Sequence, residues 1–278
     1  MIAGYAALER QVARLERDWR AIHRAESPAA MSRRTAIEIA AELGIVLDPW
    51  QRAPLLTELD ALMLVTRQGG KGMVASLLAL EKLLEAGTTT VIISKADRQA
   101  KRLLKRVKRL LSLLSDVPPA VVDSTYALEL RNGAELLALP GSEETVRGIE
   151  AVDLLIIDEG ALVPDELYQA VYPMLATTNG RCVGLTTPRG KRGWFWQEWS
   201  GGNETWHRTK ITAPDIPRID PAWLDQTRRR LGEWMYRQEF LCEFVDLEDQ
   251  FFSSEIVDRA VSSDVEPLIF PFAIGVAA

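Results

Sequence analysis

Cysteine is scarce: the chain has two in 278 residues, Cys182 and Cys242, far apart and outside any metal-ligand spacing. That excludes a disulfide framework or a cysteine-built metal module and predicts two buried thiols in a reducing compartment. Long apolar runs are also missing. No stretch approaches the roughly 20 residues needed to cross a bilayer, and the N-terminus has no apolar signal region, so the sequence predicts a soluble, unexported protein. Excess positive charge is absent as well. The formal net charge of -6 excludes a surface coated in basic residues, while leaving room for a local basic track. There is no internal repeat and no low-complexity tract. With 26% charged and 47% hydrophobic residues, the chain has the composition of an ordinary globular protein of one large or two smaller domains.

Residues 5 to 24 predict an amphipathic helix, with Leu8, Val12, Leu15, Trp19 and Ile22 recurring at spacings of three and four. A second helix is expected over 33 to 43, stopped by Gly44. Together they suggest an N-terminal helical arm over 1–44 that packs or contacts a partner. From about 45 strands and helices alternate. Strands are predicted at Ala61 to Thr66, Thr88 to Ser94, Leu154 to Asp158 and Arg181 to Leu185. Helices are predicted at Met73 to Ala86, 96 to 114 and near 165 to 175. Tyr126 to Leu130 and Ala134 to Leu139, joined through Arg131-Asn132-Gly133, read as a hairpin in which Asn-Gly supplies positive φ angles. This order implies an α/β fold around a mostly parallel sheet, with a core over 45–212. Pro214, Pro217 and Pro221 mark a linker, and 222 to 245 reads as a helix rich in Arg and Trp, giving a lid or linker region over 213–267.

Two short stretches carry the chemistry. The first is the apolar strand running into Thr66-Arg67-Gln68-Gly69-Gly70-Lys71. A glycine-rich turn between strand and helix cradles phosphates, because backbone N–H groups approach the anion and the helix N-terminus favours negative charge. The pattern departs from the standard G-x-x-x-x-G-K-[ST]: Val65 stands at the first glycine, and Gly72 replaces the hydroxyl that normally holds Mg²⁺. The second is Leu154-Leu155-Ile156-Ile157-Asp158-Glu159, a buried strand ending in a candidate metal-binding carboxylate and a candidate base. Neither stretch is specific alone; in this order they point to a nucleoside-triphosphate-driven enzyme. Trp50-Gln51 adds a third element. Its ring can stack on a purine and its amide can pair with adenine's edge, or the two can be a helix cap and a core Trp.

Trp50-Gln51, Arg67-Gln68-x-Gly70-Lys71, Arg147-Gly148, Asp158-Glu159 and Thr186-Thr187-Pro188, taken together over roughly 45 to 250, resemble the large terminase subunit of tailed bacteriophages. Arg237-Gln238-Glu239-Phe240 with Phe251-Phe252 resembles that family's passage from ATPase to nuclease. The resemblance implies an ASCE-type P-loop NTPase whose cofactors are ATP and Mg²⁺. It implies that Gln68, Gly69, Gly70, Lys71, Gly72 and Met73, with Trp50 and Gln51, bind the nucleotide, and that Lys71 and the Gly69–Gly72 backbone hold its β- and γ-phosphates. Arg67 would sense or clamp the γ-phosphate, and Asp158 would bind Mg²⁺. Glu159 would activate water, and Thr186 and Thr187 would couple hydrolysis to DNA movement. Arg147 is a candidate arginine finger supplied in trans within a ring, or an ordinary loop salt bridge. Partners implied are double-stranded DNA, a portal protein on a procapsid, the small terminase subunit and further copies of the chain, with no membrane, in the host cell cytoplasm. Residues 268–278 resemble the first strand of the family's RNase H-like nuclease, with Ala where an acid is expected. The expectation is therefore a motor domain that does not cut DNA.

The helix over 96 to 114 carries Arg98, Lys101, Arg102, Lys105 and Arg109 opposite an apolar stripe. No acid lies between Asp97 and Asp116, so pairing within the helix is not expected, and this face suits a phosphate backbone or is simply solvated. Arg189, Lys191 and Arg192, followed by Trp194, Phe195, Trp196 and Trp199, either grip a strand or start a packed aromatic cluster. Two other functions are weighed against a packaging motor: a superfamily-two-like helicase, whose Asp-Glu-x-Asp or Asp-Glu-x-His pattern is broken by Asp158-Glu159-Gly160-Ala161, and a degenerate nucleotide- or DNA-binding module.

Overall fold

Apolar strands of alternating destination organise the molecule. In the strand β1, Asp60–Val65, Ala61, Met63 and Val65 enter one hydrophobic core, while Leu62 and Leu64 enter another on the opposite face. Strand β6, Leu154–Asp158, divides in the same way: Leu154 and Ile156 on one side, Leu155 and Ile157 on the other. Strands with both faces buried in this manner require helices above and below the sheet. Each fully buried Leu or Ile contributes about 1.5–3 kcal/mol of burial free energy.

The computed structural model describes residues 34–141, 146 and 148–245. The expected helix over 5–24, Arg147, Phe251-Phe252 and the expected strand over 268–278 lie outside them. Helix α1, Ala36–Glu42, begins at Thr35, whose side chain accepts from the Glu38 N–H while the Glu38 carboxylate accepts from Thr35 N–H, a closed capping box. A 3₁₀ turn, Pro49–Gln51, leads into α2, Arg52–Leu56. After β1 come α3, Lys71–Leu84; β2, Thr89–Ser94; and α4, Asp97–Leu111. Next are β3, Ala120–Asp123; β4, Ala127–Leu130; and β5, Glu135–Pro140. Beyond β6 lie α5, Asp165–Val171; β7, Arg181–Thr186; α6, Gly193–Ser200; β8, Trp206–Ile211; and α7, Pro221–Glu239.

The eight strands form one sheet in the order β3-β4-β5-β2-β6-β7-β1-β8. All pairings from β5 to β8 are parallel, and only β3–β4 and β4–β5 are antiparallel. Strand β7 lies between β1 and β6, so the phosphate turn and the acidic strand end are separated by one strand, as in ASCE P-loop folds. Their carboxyl ends open on one crevice, where open α/β sheets bind ligands.

Several expectations differ in detail. Asn132 keeps ordinary backbone angles. Gly133 alone in that turn takes positive φ, 76°, closing a three-residue loop in which the Asn132 side chain accepts from Ala134 N–H. The helix expected over 222–245 ends at Glu239 and is kinked at Gly232, where φ is 79°. Strands β3 and β8 and helix α6 are additions to the predicted elements. A small third core of Ala213, Leu224, Tyr236 and Phe240 packs the end of β8 against α7. Cys182 and Cys242 are both buried, and burial pushes the Cys242 thiol up to about 12.

Candidate active site

The phosphate turn is built by sterics before chemistry. Gly70 has φ 103°, the left-handed region, and caps α3. At Gly69 a Cβ would lie 2.5 Å from Val65 Cγ1 and 2.9 Å from the Thr66 carbonyl, so the turn closes only on glycine. Lys71 and Gly72 open α3, where N–H groups have no acceptor within the helix and face an incoming anion. Met73 N–H instead donates to the Gly70 carbonyl at 2.9 Å, so that amide is committed to the turn.

Lys71, Gly72, Asp158 and Glu159 line one cleft of about 320 Å³ together with Gln68, Gly69, Gly70, Gln99, Arg102, Leu103 and Arg106. Lys71 Nζ stands 3.8 Å from Glu159 Oε1. Asp158 accepts the Glu159 backbone N–H at 3.0 Å. Burial first, and then the neighbouring Glu159 charge, push the Asp158 carboxyl up to about 6, against the opposing pull of Lys71, that N–H and Arg106. Glu159 itself adopts φ 53°, ψ 47°, a left-handed conformation costing a side chain about 1–3 kcal/mol. That strain aims the second carboxylate into the cleft rather than along the strand. A buried carboxylate held partly protonated is the environment a hard divalent cation relieves. Among the described residues no cluster of three or more acidic, His or Cys side chains could hold a metal by itself. One or two carboxylates beside a phosphate cradle fit Mg²⁺, which keeps waters and takes its remaining oxygens from substrate.

Thr186, fully buried at the end of β7, joins the two halves. Its hydroxyl accepts from Ala161 N–H at 3.2 Å and donates to the Thr187 carbonyl at 2.7 Å. The loop bearing Glu159 is thereby tied to the strand end between it and the phosphate turn. Helix α6 closes the other side. Trp194 stacks on Tyr168 at 4.2 Å and packs so near Gly160 that a Cβ there would lie 2.9 Å from its ring. Trp194 and Phe195 are core residues, and Trp196 and Trp199 are half-buried, so the aromatic cluster packs the fold.

The structure redistributes several expected roles. Arg67 is exposed and ion-paired with Glu239 of α7 instead of lining the cleft, while Thr66 Oγ1 donates to the Glu239 carbonyl at 3.0 Å. Gln51 is engaged internally: its carbonyl accepts from Asp48 N–H at 2.8 Å and its amide reaches the Gly70 carbonyl at 3.3 Å. Trp50 packs against the core beside Gly70. Neither Trp50 nor Gln51 lines the phosphate cleft. Arg102, expected on the outer basic face, lines the cleft instead. The expectation of no pairing within that helix is corrected: Lys101 bonds Asp97 at 2.6 Å and lies over the Tyr126 ring. The acid that opens the helix is one turn from Lys101, within i, i+4 reach. Arg98, Lys105 and Arg109 remain exposed on α4, and Arg189, Lys191 and Arg192 on the loop between β7 and α6. Sequence reasoning missed Arg218, which bridges Asp48 at 2.6 Å and the Gly69 carbonyl at 2.9 Å, and the cleft-facing Gln99.

No helix among the described residues is long and apolar enough to cross a membrane. The family model for the N-terminal part of the T4-like-virus type of terminase large subunit matches residues 62–259. The terminase large subunit of Escherichia phage T5 is 25% identical over 198 residues, covering 68% of this chain and 45% of that protein, so the chain spans less than half of that relative's length. The large terminase ATPase domain of Thermus phage P74-26 superposes with TM-score 0.64 at 22% identity, over 74% of this chain and 97% of that one. The large terminase of another thermophilic bacteriophage, solved in complex with ADP, gives TM-score 0.58 at 14% identity, over 76% of this chain and 53% of that one. With the family model matching across most of its length, the chain belongs to the terminase large subunit family.

Proposed function

We propose that this chain is the ATP-hydrolysing motor portion of a phage DNA-packaging terminase, an ATPase core over 45–212 followed by a lid region that starts at 213. The observation that carries the reading is the convergence of Lys71, Asp158 and Glu159 in one cleft, with Thr186 tethering the Glu159 loop. Relatives named as large terminases, one of them solved with ADP, support the same substrate.

In this reading Lys71 and the amides of Gly70 to Gly72 hold the β- and γ-phosphates, and the Trp50–Gln51 turn, hinged to Gly70, lies on the nucleoside side. Asp158 would hold Mg²⁺, which when bound supplies positive charge to the phosphate oxygens. Glu159 orients the attacking water and accepts its proton. Its strained backbone holds the carboxylate to that task. Arg67 serves the γ-phosphate once released from Glu239, and Arg147 of a neighbouring subunit serves as the finger in a ring. Thr186 and Thr187 pass loop movement to the basic segment Arg189, Lys191 and Arg192, which follows directly along the chain and faces duplex DNA together with Arg98, Lys105 and Arg109 of α4. The portal of a procapsid and the small terminase subunit are the further partners, in the host cytoplasm.

The test is steady-state ATP hydrolysis across a protein concentration series, with and without double-stranded DNA, comparing wild type with Lys71→Ala and Arg147→Ala. A rate per chain that rises with concentration and with DNA, and is lost in both variants, supports a ring motor. Turnover surviving in Lys71→Ala refutes the site.

A further inference from the structure

We propose that Arg106 of α4 is a phosphate-contact residue acting in cis, and that Gly72 is glycine to admit its guanidinium to the terminal phosphate. The inference rests on the ATP-site reading above and extends it to a residue outside the P-loop and acidic-strand motifs. Residues Gln99, Arg102, Leu103 and Arg106 recur at spacings of three, four and seven, so they lie on one face of α4, and all four line the phosphate cleft. A Cβ built on Gly72 would collide with Arg106 Nη1, which places that guanidinium directly above the second residue of α3. The position that holds a hydroxyl in a standard phosphate loop is thus occupied by an arginine from another helix.

The charge balance points the same way. Arg67, the arginine of the turn itself, is engaged with Glu239 and does not line the cleft. The cations that do line it are Lys71, Arg102 and Arg106, against Asp158 and Glu159. Arg106 is near enough to Asp158 to pull its carboxyl downward, so its charge sits at the acidic end of the cleft, where the last phosphate of a triphosphate would lie. Arginine suits the task because it stays charged and offers a planar fork of donors to phosphate oxygens. Helix α4 then has two faces of different use, one turned to nucleotide through Arg102 and Arg106, the other to solvent through Lys105 and Arg109.

The test is equilibrium binding of ADP and of a slowly hydrolysed ATP analogue, followed by fluorescence, for wild type, Arg106→Gln, Lys71→Ala, Gly72→Ala and the Gly72→Ala/Arg106→Gln double variant. A lost charged hydrogen bond corresponds to about 10- to 100-fold in affinity. Arg106→Gln is expected to weaken the triphosphate analogue by that factor and ADP by much less. Gly72→Ala has no hydroxyl and an ordinary helical backbone, so its effect comes from displacing the guanidinium. It is expected to weaken the analogue in the wild-type background and to add nothing once Arg106 is gone, a coupling that a mere helix effect would not show. Loss of analogue binding in Lys71→Ala with wild-type affinity in Arg106→Gln overturns this inference and leaves the ATP site standing. Equal losses for ADP and analogue overturn the assignment to the terminal phosphate. Failure of the wild type to bind either nucleotide overturns the site reading and this inference with it.

Discussion

Replacing Asp158 by Asn should make the nucleotide-free protein more stable. Asp158 is held with its carboxyl pushed from its ordinary 3.8 up to about 6, mainly by burial. A carboxylate with a raised folded-state value binds protons more tightly in the folded chain than in the unfolded one. Its penalty is absent below the unfolded value and grows as pH rises from about 4 to about 6. Above that it is complete. At about 1.36 kcal/mol per pH unit, the interval amounts to about 3 kcal/mol at neutral pH, with roughly half of it present at pH 5. Because the side chain keeps some contact with solvent, a measured value of about 1–3 kcal/mol is expected. Asn preserves the acceptor for the Glu159 N–H and removes the charge. Urea unfolding at pH 5, 6, 7 and 8 without divalent cations measures the gap directly. The Asp158→Asn protein is expected to unfold at higher urea than wild type at pH 7 and 8, with the gap shrinking toward pH 5, while ATP turnover is lost. A variant less stable than wild type at pH 8, or a gap that does not change with pH, refutes the account of a destabilised carboxylate poised for a cation.

Thr186→Val keeps shape but removes a buried hydroxyl, leaving the Ala161 N–H and the Thr187 carbonyl without that partner. It should cost about 1–3 kcal/mol and lower the thermal midpoint by several degrees. Gly70→Ala forces a side chain into φ 103° with its Cβ 2.8 Å from Gln51 Nε2, and should weaken ATP binding at least about tenfold by fluorescence titration. On DNA, Lys105→Ala and Arg109→Ala should each reduce the slope of log affinity against log salt by about 0.9, measured by filter binding. Lys101→Ala should change it little, because that ammonium is already paired with Asp97.

The parts of the fold visible in the sequence are those whose burial is uniform. β1, β2 and β6 are apolar on both faces and read as strands without ambiguity, and α3 follows from a helical run after Lys71. The strands that escape prediction lie at the edges. β3 is exposed along its whole length, and β8, Trp-His-Arg-Thr-Lys-Ile, alternates polar residues on a half-open face. α6 is masked by its aromatic content, which reads as a cluster before it reads as a helix. In the site, Lys71, Asp158 and Glu159 are legible because each ends or follows an apolar strand. The Arg67–Glu239 pair is not, because it joins positions 172 residues apart. Arg102 and Arg106 look like members of one basic face, and only the packing of α4 beside α3 separates the residues that face nucleotide from those that face solvent.

The most direct test of the central claim separates binding from turnover at Glu159. Nucleotide affinity and steady-state ATP hydrolysis would be measured on the same preparations of wild type and Glu159→Gln. The account predicts that the variant binds ATP at least as well as wild type, since a charge beside the phosphates is removed, while hydrolysis falls about 10²-fold or more with loss of the base. Hydrolysis at the wild-type rate in Glu159→Gln would contradict the assignment of this cleft as the place where ATP is cleaved.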